Sequence, residues 1–533
     1  MKKNIFLILL ISFFSLSFNA HGLTSSGEIS QSSDSKPIPK RPAASHSSAI
    51  SSAYHYQESL EDLPPEPDFG TLSLSLKETV VTSLNKNFDI QIEKFAPKIS
   101  ATGITAEKGI FDPSFTAAIV NSRTLQENAS SDQTVEDKLI GTAGISKRFT
   151  PGTKLAFSFE TTDNDDPGTD GQYNSGLKLV LTQNLLKNFG TDINTARVFI
   201  AEKEHEQSRK SLLKKVIDVV ADVQNAYWDY YQNNTILEIR QKSYTLTRGL
   251  FLKKKEEARL GALAPIELVE IESRVATRIT EYLEARKLVQ ESDIKLRTLL
   301  DLPFNFESVP VWILPTDRPE GFEKTFDFGR SLQTALDNHP DFQKILLRLA
   351  AKERELQYTR NQTLPDLEAT ASYGVDRYAN AWDDSMSVYG AGNNYELGLR
   401  LTVPLGNREA KSNYAKTRLE LDQIKKEKSR RELEIKRDIS KAKIALELSI
   451  LLYRASVNDL KLKEKNLHAA EQKLKYGTAG LRQLLDVQTE LIEANLKLVE
   501  AEVGYEKALV EMYKAQGVFD PKLQIDIATL YTQ

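Results

Sequence analysis

The strongest constraint in this chain is an apolar period of seven residues that is sustained twice without a break. Val216, Val223, Tyr230, Leu237, Tyr244 and Phe251 make the first run, and Ile439, Leu446, Tyr453, Leu460, Leu467 and Leu474 the second. A strict seven-residue repeat keeps one seam of a helix on its neighbour and gives coiled-coil-like packing with a left-handed supercoil. Proline is absent from 191–258 and 407–475, so each run can extend for about 100 Å at 1.5 Å per residue.

The two runs sit in two copies of one unit. Val80, Leu84, Asn87, Asp89 and Gln91 recur as Leu332, Leu336, His339, Asp341 and Gln343, an offset of 252. The offset is 220 where Thr182 and Leu185 match Thr402 and Leu405, and 216 where Arg259-Leu260-Gly261 matches Lys475-Tyr476-Gly477. Its fall of 32 between Pro113 and Thr182 places an insertion in the first copy. The chain therefore divides into a first repeat (71–302), a connector (303–326), a second repeat (327–517) and a tail (518–533). Each repeat reads helix, strand pair, very long helix, turn, helix. The shorter helices have about 35 residues, roughly 50 Å, so two end to end match one long helix and four columns result. Pro97 and Gly103 are expected to bend the first short helix.

Between the helices the period changes from seven to two. Leu155, Phe157 and Phe159 alternate with polar residues and Ala156, as do Leu177, Leu179 and Leu181 with Lys178, Val180 and Thr182. In the second repeat Leu367, Ala369, Ala371 and Tyr373 do the same, followed by Tyr395, Leu397, Leu399, Leu401 and Val403. Such runs fit membrane β-barrel strands and equally a half-buried soluble sheet. Counting separates the two. Each repeat supplies one pair, and the insertion adds a hairpin near 138–162 around Thr150-Pro151-Gly152. Four or six strands cannot close, and closed membrane barrels need at least about eight, so several protomers must share one barrel. The polar loops 163–175 and 375–394 suit the extracellular side.

The N-terminus carries Lys2 and Lys3, an apolar run from Ile5 to Phe14, and Ala20-His21-Gly22, the pattern of a signal peptide over 1–22. Residues 23–70 are rich in Ser, Pro and charge and read as a flexible leader. Mean hydropathy of −0.40 suggests a soluble protein, but it averages strand faces with long charged helices. The balance of 70 basic and 74 acidic residues gives no nucleic-acid footprint. With no cysteine, thiol chemistry, Cys-rich metal sites and a lipidated N-terminal cysteine are excluded.

Leu181-Thr182-Gln183-Asn184-Leu185-Leu186-Lys187-Asn188-Phe189-Gly190 before the first long helix, and Leu401-Thr402-Val403-Pro404-Leu405-Gly406 before the second, resemble the TolC family of outer-membrane efflux and secretion channels. Leu336-Asp337-Asn338-His339-Pro340 looks like that family's helix opening. Tyr476-Gly477-Thr478-Ala479-Gly480-Leu481 with Asp486-Val487-Gln488 looks like its hairpin tip. The resemblance covers about 71–517. It implies a mostly α protein with membrane β structure: a homotrimeric β-barrel in outer-membrane lipid that continues into a periplasmic α-helical barrel. It implies a periplasmic adaptor protein and an inner-membrane pump as partners, in a tripartite efflux pump or a type I secretion system. Asn184 stands where the family often has Pro. The extra hairpin leaves open whether a trimer has the family's twelve strands or eighteen.

By the same resemblance, inward-facing acidic positions after the hairpin tip form a periplasmic constriction. Those positions fall on Gln483 and Asp486, with Glu267 and Glu270 at the matching places of the first repeat. An acidic ring would attract cations and resist narrowing; solvated helix-surface charges are the plainer reading. The aromatic and arginine of the family's lock fall on Leu474 and Ala479, leaving Arg482 as a substitute. Gly261, Leu263, Gly477 and Leu481 are the adaptor-docking positions, although glycine also simply ends helices. The six histidines are scattered, and no phosphate loop or nucleophile elbow is present. No cofactor, metal or enzymatic activity is expected. The other reading is a structural coiled-coil envelope protein with a non-conducting β-cap.

Overall fold

The computed structural model describes residues 70–127, 133–165, 172–260, 265–304, 311–387, 390–476, 478 and 480–525. The expected signal peptide, all but the last residue of the leader, and the tail beyond 525 lie outside the described residues.

A short strand, β1 (Gly70–Leu74), leads into three consecutive helices, α1 (Leu76–Lys86), α2 (Phe88–Glu93) and α3 (Phe95–Lys108). Ser75 and Glu78 form a reciprocal capping box at the start of α1, and Asn87 ends α1 while its side chain caps α2. The interruptions fall at Asn87 and Lys94 rather than at Pro97 or Gly103. Pro97 is the third residue of α3, where a missing N–H leaves no intrahelical bond unmade. Strands β2 (Ser114–Glu127), β3 (Gln133–Arg148), β4 (Thr153–Asp165) and β5 (Gln172–Asn184) follow, then α4 (Thr191–Asn194), α5 (Ala196–Arg259) and α6 (Pro265–Leu300).

The second half begins with β6 (Val311–Pro315), which pairs in parallel with β1. Helices α7 (Phe328–Asn338) and α8 (Pro340–Asn361) are divided by His339, which caps α8 with Pro340 at its first position, the role Asn87 has in the first half. Strand β7 (Asp366–Ala379), the single turn α9 (Trp382–Ser385) and β8 (Gly392–Thr402) precede α10 (Arg408–Lys475) and α11 (Leu481–Gln516). The 64 residues of α5 and 68 of α10 correspond to roughly 100 Å each.

All six heptad residues of α5 are buried. On α10 only Ile439 and Leu446 are; Tyr453, Leu460, Leu467 and Leu474 stay half-buried. The α5 seam supports one core cluster in which Val80, Leu84 and Ile90 meet Val216, Val219 and Val223, and Leu523 from beyond the last long helix completes it. Tyr230 is buried on α5 and donates to the Ile313 carbonyl at 2.8 Å, tying the helix to β6.

Six strands form one antiparallel sheet in the order β2-β3-β4-β5-β7-β8, open at both edges among the described residues. The hairpin β3–β4 lies inside this sheet. The strands run longer than the alternation alone indicates: β4 reaches Asp165, β5 begins at Gln172, β7 reaches Ala379 and β8 begins at Gly392. Between β7 and β8 the chain is not simply polar: α9 folds back on the sheet, and Ser385, Ser175 and Thr161 join in a buried hydroxyl chain with 2.8 Å links. The pairing register puts Phe115, Ile145, Phe157, Leu179, Tyr373 and Leu397 on one face. All are exposed. The opposite face carries Lys154, Glu160, Lys178, Glu368 and Arg400. Among the described residues no helix is long and apolar enough to cross a membrane.

Candidate functional site

The hairpins α5–α6 and α10–α11 meet near their turns. Phe251 from α5, Ile271 from α6 and Leu485 from α11 form an apolar cluster there, with Leu268, Val275 and Leu481 packed against it. Leu481 is thus engaged inside the protomer. Gly261, Leu263 and Gly477 lie outside the described residues.

Beside this cluster a polar chain connects the hairpins. Arg274 Nη2 donates to Asp486 Oδ1 at 2.5 Å, and Arg278 Nη2 donates to Thr489 Oγ1 at 2.7 Å. Arg278 Nη1 and Arg240 Nη1 both reach Glu281 Oε2 at 2.8 Å, so Glu281 joins α5 to α6 while Arg278 carries the link on to α11. Arg482 lies 3.7 Å from Glu270. Lys463 on α10 donates to Glu490 on α11 at 2.7 Å, and this bond holds its ammonium above the ordinary lysine range. The members differ in what they contribute. Arg278 is 7% exposed and Asp486 52%; a charged hydrogen bond shielded from water is worth more than an ion pair in water.

Of the residues singled out from the sequence, Asp486 and Glu270 come into this chain, each against an arginine of the other hairpin. Gln483 and Glu267 are exposed nearby. The charge of the Asp486 carboxylate is thus paired with Arg274 within the same chain. Sequence reasoning missed Arg274, Arg278 and Thr489. A signal was present, since Arg274, Arg278 and Glu281 follow helical spacing on α6 and Arg274 occupies the place of Glu490 in the second repeat, a charge reversal between equivalent positions. Among the described residues no three His, Asp or Glu are grouped to hold a metal ion.

Paired helical hairpins of this length lead into an amphipathic sheet with two open edges among the described residues. Residues 331–518 match the family model described as outer membrane efflux protein, and the whole has the TolC-like fold. The outer-membrane channel OprN superposes with a TM-score of 0.63 at 14% identity, covering 83% of this chain and 90% of that one. The CmeC outer-membrane channel of Campylobacter jejuni gives 0.59 at 15% identity, covering 92% and 96%. The open state of the MtrE outer-membrane channel of Neisseria gonorrhoeae gives 0.58 at 16%, covering 83% and 89%. No curated protein sequence matches the chain.

Proposed function

We propose that the protein is a passive export duct: a homotrimer whose sheets share one barrel in the outer membrane and whose helices form a tunnel through the periplasm. It would serve a tripartite efflux pump or a type I secretion system, receiving cargo through a periplasmic adaptor and an inner-membrane pump. The observation that carries this reading is the sheet. The residues of one face are apolar and exposed, the other face is charged, and neither edge is paired among the described residues, a combination that suits lipid outside and water inside once copies close the ring.

The chain is then a fused duplication, repeats 71–302 and 327–517 joined by the connector 303–326, behind a cleaved signal peptide and a Ser/Pro-rich leader. At the periplasmic end the gate is the polar chain between the hairpins: opening moves α6 away from α11 and releases Asp486 from Arg274. Asp486 and Gln483 from three copies then line the constriction, with Glu267 and Glu270 behind them. Gly261, Leu263 and Gly477 shape the tip that meets the adaptor, and Leu481 braces it from within.

Planar-bilayer recording of purified trimers tests the reading. Discrete conductance that increases in Arg274→Ala supports a gated duct. Trimers that never conduct, in either protein, would return the structural coiled-coil alternative.

A further inference from the structure

The hairpin β3–β4 lengthens each sheet to six strands, and its construction assigns it a place in the channel wall. It pairs along its length on both sides: β3 with β2 from Asp137–Arg123 to Ser146–Ser114, and β4 with β5 from Thr153–Gln183 to Asn164–Gln172. Its turn is built into the junction with the helices. Phe149 N–H donates to Thr153 O at 2.8 Å, and Gly190 N–H, just before α4, donates to Pro151 O at 3.1 Å. Gly152 holds φ +96 there, and a Cβ would collide with the Asn188 carbonyl, so the approach of turn to junction requires glycine. The apolar face continues across the hairpin through Ala143, Ile145, Leu155, Phe157 and Phe159, bounded by Lys147 at one end and by Thr161 and Asp163 at the other.

Both ends of the sheet are shaped for another copy of the same sheet. The six strands alternate in direction, so β8 runs opposite to β2 and the two can pair antiparallel with their apolar faces on the same side. Neither strand contains proline; Pro113 and Pro404 stand just outside them, so the edges are unprotected. The helices below repeat this match. Phe88, Ile92, Phe95 and Ile99 make an exposed stripe on α2–α3, and Leu419 and Leu433 are exposed on α10. Counted from the sheet at 1.5 Å per residue, Ile99 and Leu419 both lie about 15 Å down, and Phe88 and Leu433 both lie about 30–40 Å down. Covering these stripes together with the eleven exposed residues of β8 removes roughly the 1,000 Å² that a stable interface needs.

We propose that three copies join β8 to β2 in a wall of eighteen strands, three sixes, in place of twelve. This rests on the trimeric duct proposed above and deepens it. Barrel diameter grows nearly in proportion to strand number, so the membrane section is about one and a half times as wide as a twelve-stranded one. The mouth becomes a porin-like vestibule above the helical tunnel.

The absence of cysteine permits single introduced thiols in the full chain, reconstituted in vesicles. Thr142→Cys and Ser158→Cys, on the charged face, should react with a membrane-impermeant maleimide, whereas Ile145→Cys and Phe157→Cys should not. A bimane on the latter pair should instead be quenched by brominated lipid. Leu397→Cys combined with Ala117→Cys should give covalent dimers and trimers with a short bis-maleimide. Trimers that conduct but whose hairpin thiols react equally on both faces would overturn the eighteen-stranded wall and leave the duct standing. Loss of both trimers and conductance in the unmodified protein would remove both.

Discussion

Thr489→Val and Arg274→Ala separate the buried and exposed halves of the polar chain between the hairpins. The valine keeps the shape of Thr489 but deletes the acceptor of the 2.7 Å bond from Arg278. Because Arg278 is 7% exposed, water does not replace the lost partner, and a charged hydrogen bond of this kind is worth about 1.5–3 kcal/mol. The alanine removes a 2.5 Å ion pair whose Asp486 end is 52% exposed, worth about 0.2–1 kcal/mol after solvent screening. If opening parts the hairpins in all three copies, the contributions triple. Thr489→Val then favours the open state by at least about 4 kcal/mol, roughly a thousandfold, while Arg274→Ala reaches at most about 3 kcal/mol, on the order of a hundredfold. Single-channel open probability reads both, with thermal unfolding as a control that the trimer is intact. An Arg274→Ala effect larger than that of Thr489→Val, or open times unchanged by the valine, would refute the view that the buried bond is the main latch.

Burial between α8, α5 and α10 lowers the His339 pKa to about 4, with the Arg431 guanidinium adding to it, Asp341 and Asp218 opposing, and Lys214 reinforcing. The folded protein therefore binds this proton less well than the unfolded chain, whose histidine titrates near 6.5. Stability is full above about pH 6.5 and is lost as pH falls toward 4, by about 3 kcal/mol at most; His339→Asn, which retains a cap, should flatten that slope in thermal melts followed by circular dichroism. Gly517 ends α11 at φ +70, and a Cβ there would stand 2.6 Å from the His339 Cα. Gly517→Ala should cost about 2–4 kcal/mol, backbone strain plus overpacking, in denaturant titration. Tyr230→Phe leaves the Ile313 carbonyl without its 2.8 Å donor and should cost about 1–2 kcal/mol by the same measurement.

Helices and strands were largely legible because both periods come from burial. The α5 heptad pointed straight to its seam, since every one of its six residues has a neighbour within the chain. On α10 the same period continued past Leu446 into residues that remain half-buried, which the proposed trimer would cover with the next copy. Strand β2 was harder to see: Ala117-Ala118-Ile119-Val120 is apolar throughout, which blurs a period of two. The polar chain at the tip was not legible. Arg274 and Asp486 are 212 residues apart, and their meeting depends on the relative register of two hairpins, which no local pattern encodes.

The presence of Leu523 in one cluster with Val80 and Leu84 has a consequence for biogenesis. The contact spans 443 positions, and Lys77 bonds Gln524 across almost the same interval at 3.0 Å. During synthesis the N-terminal helices emerge first and cannot complete their own core until residues near 523 have followed. The valines and leucines of α1 stay without their core partners through that interval. Truncation before Leu523 should act early, by stalling completion of the α1 core, rather than late, by weakening a finished fold.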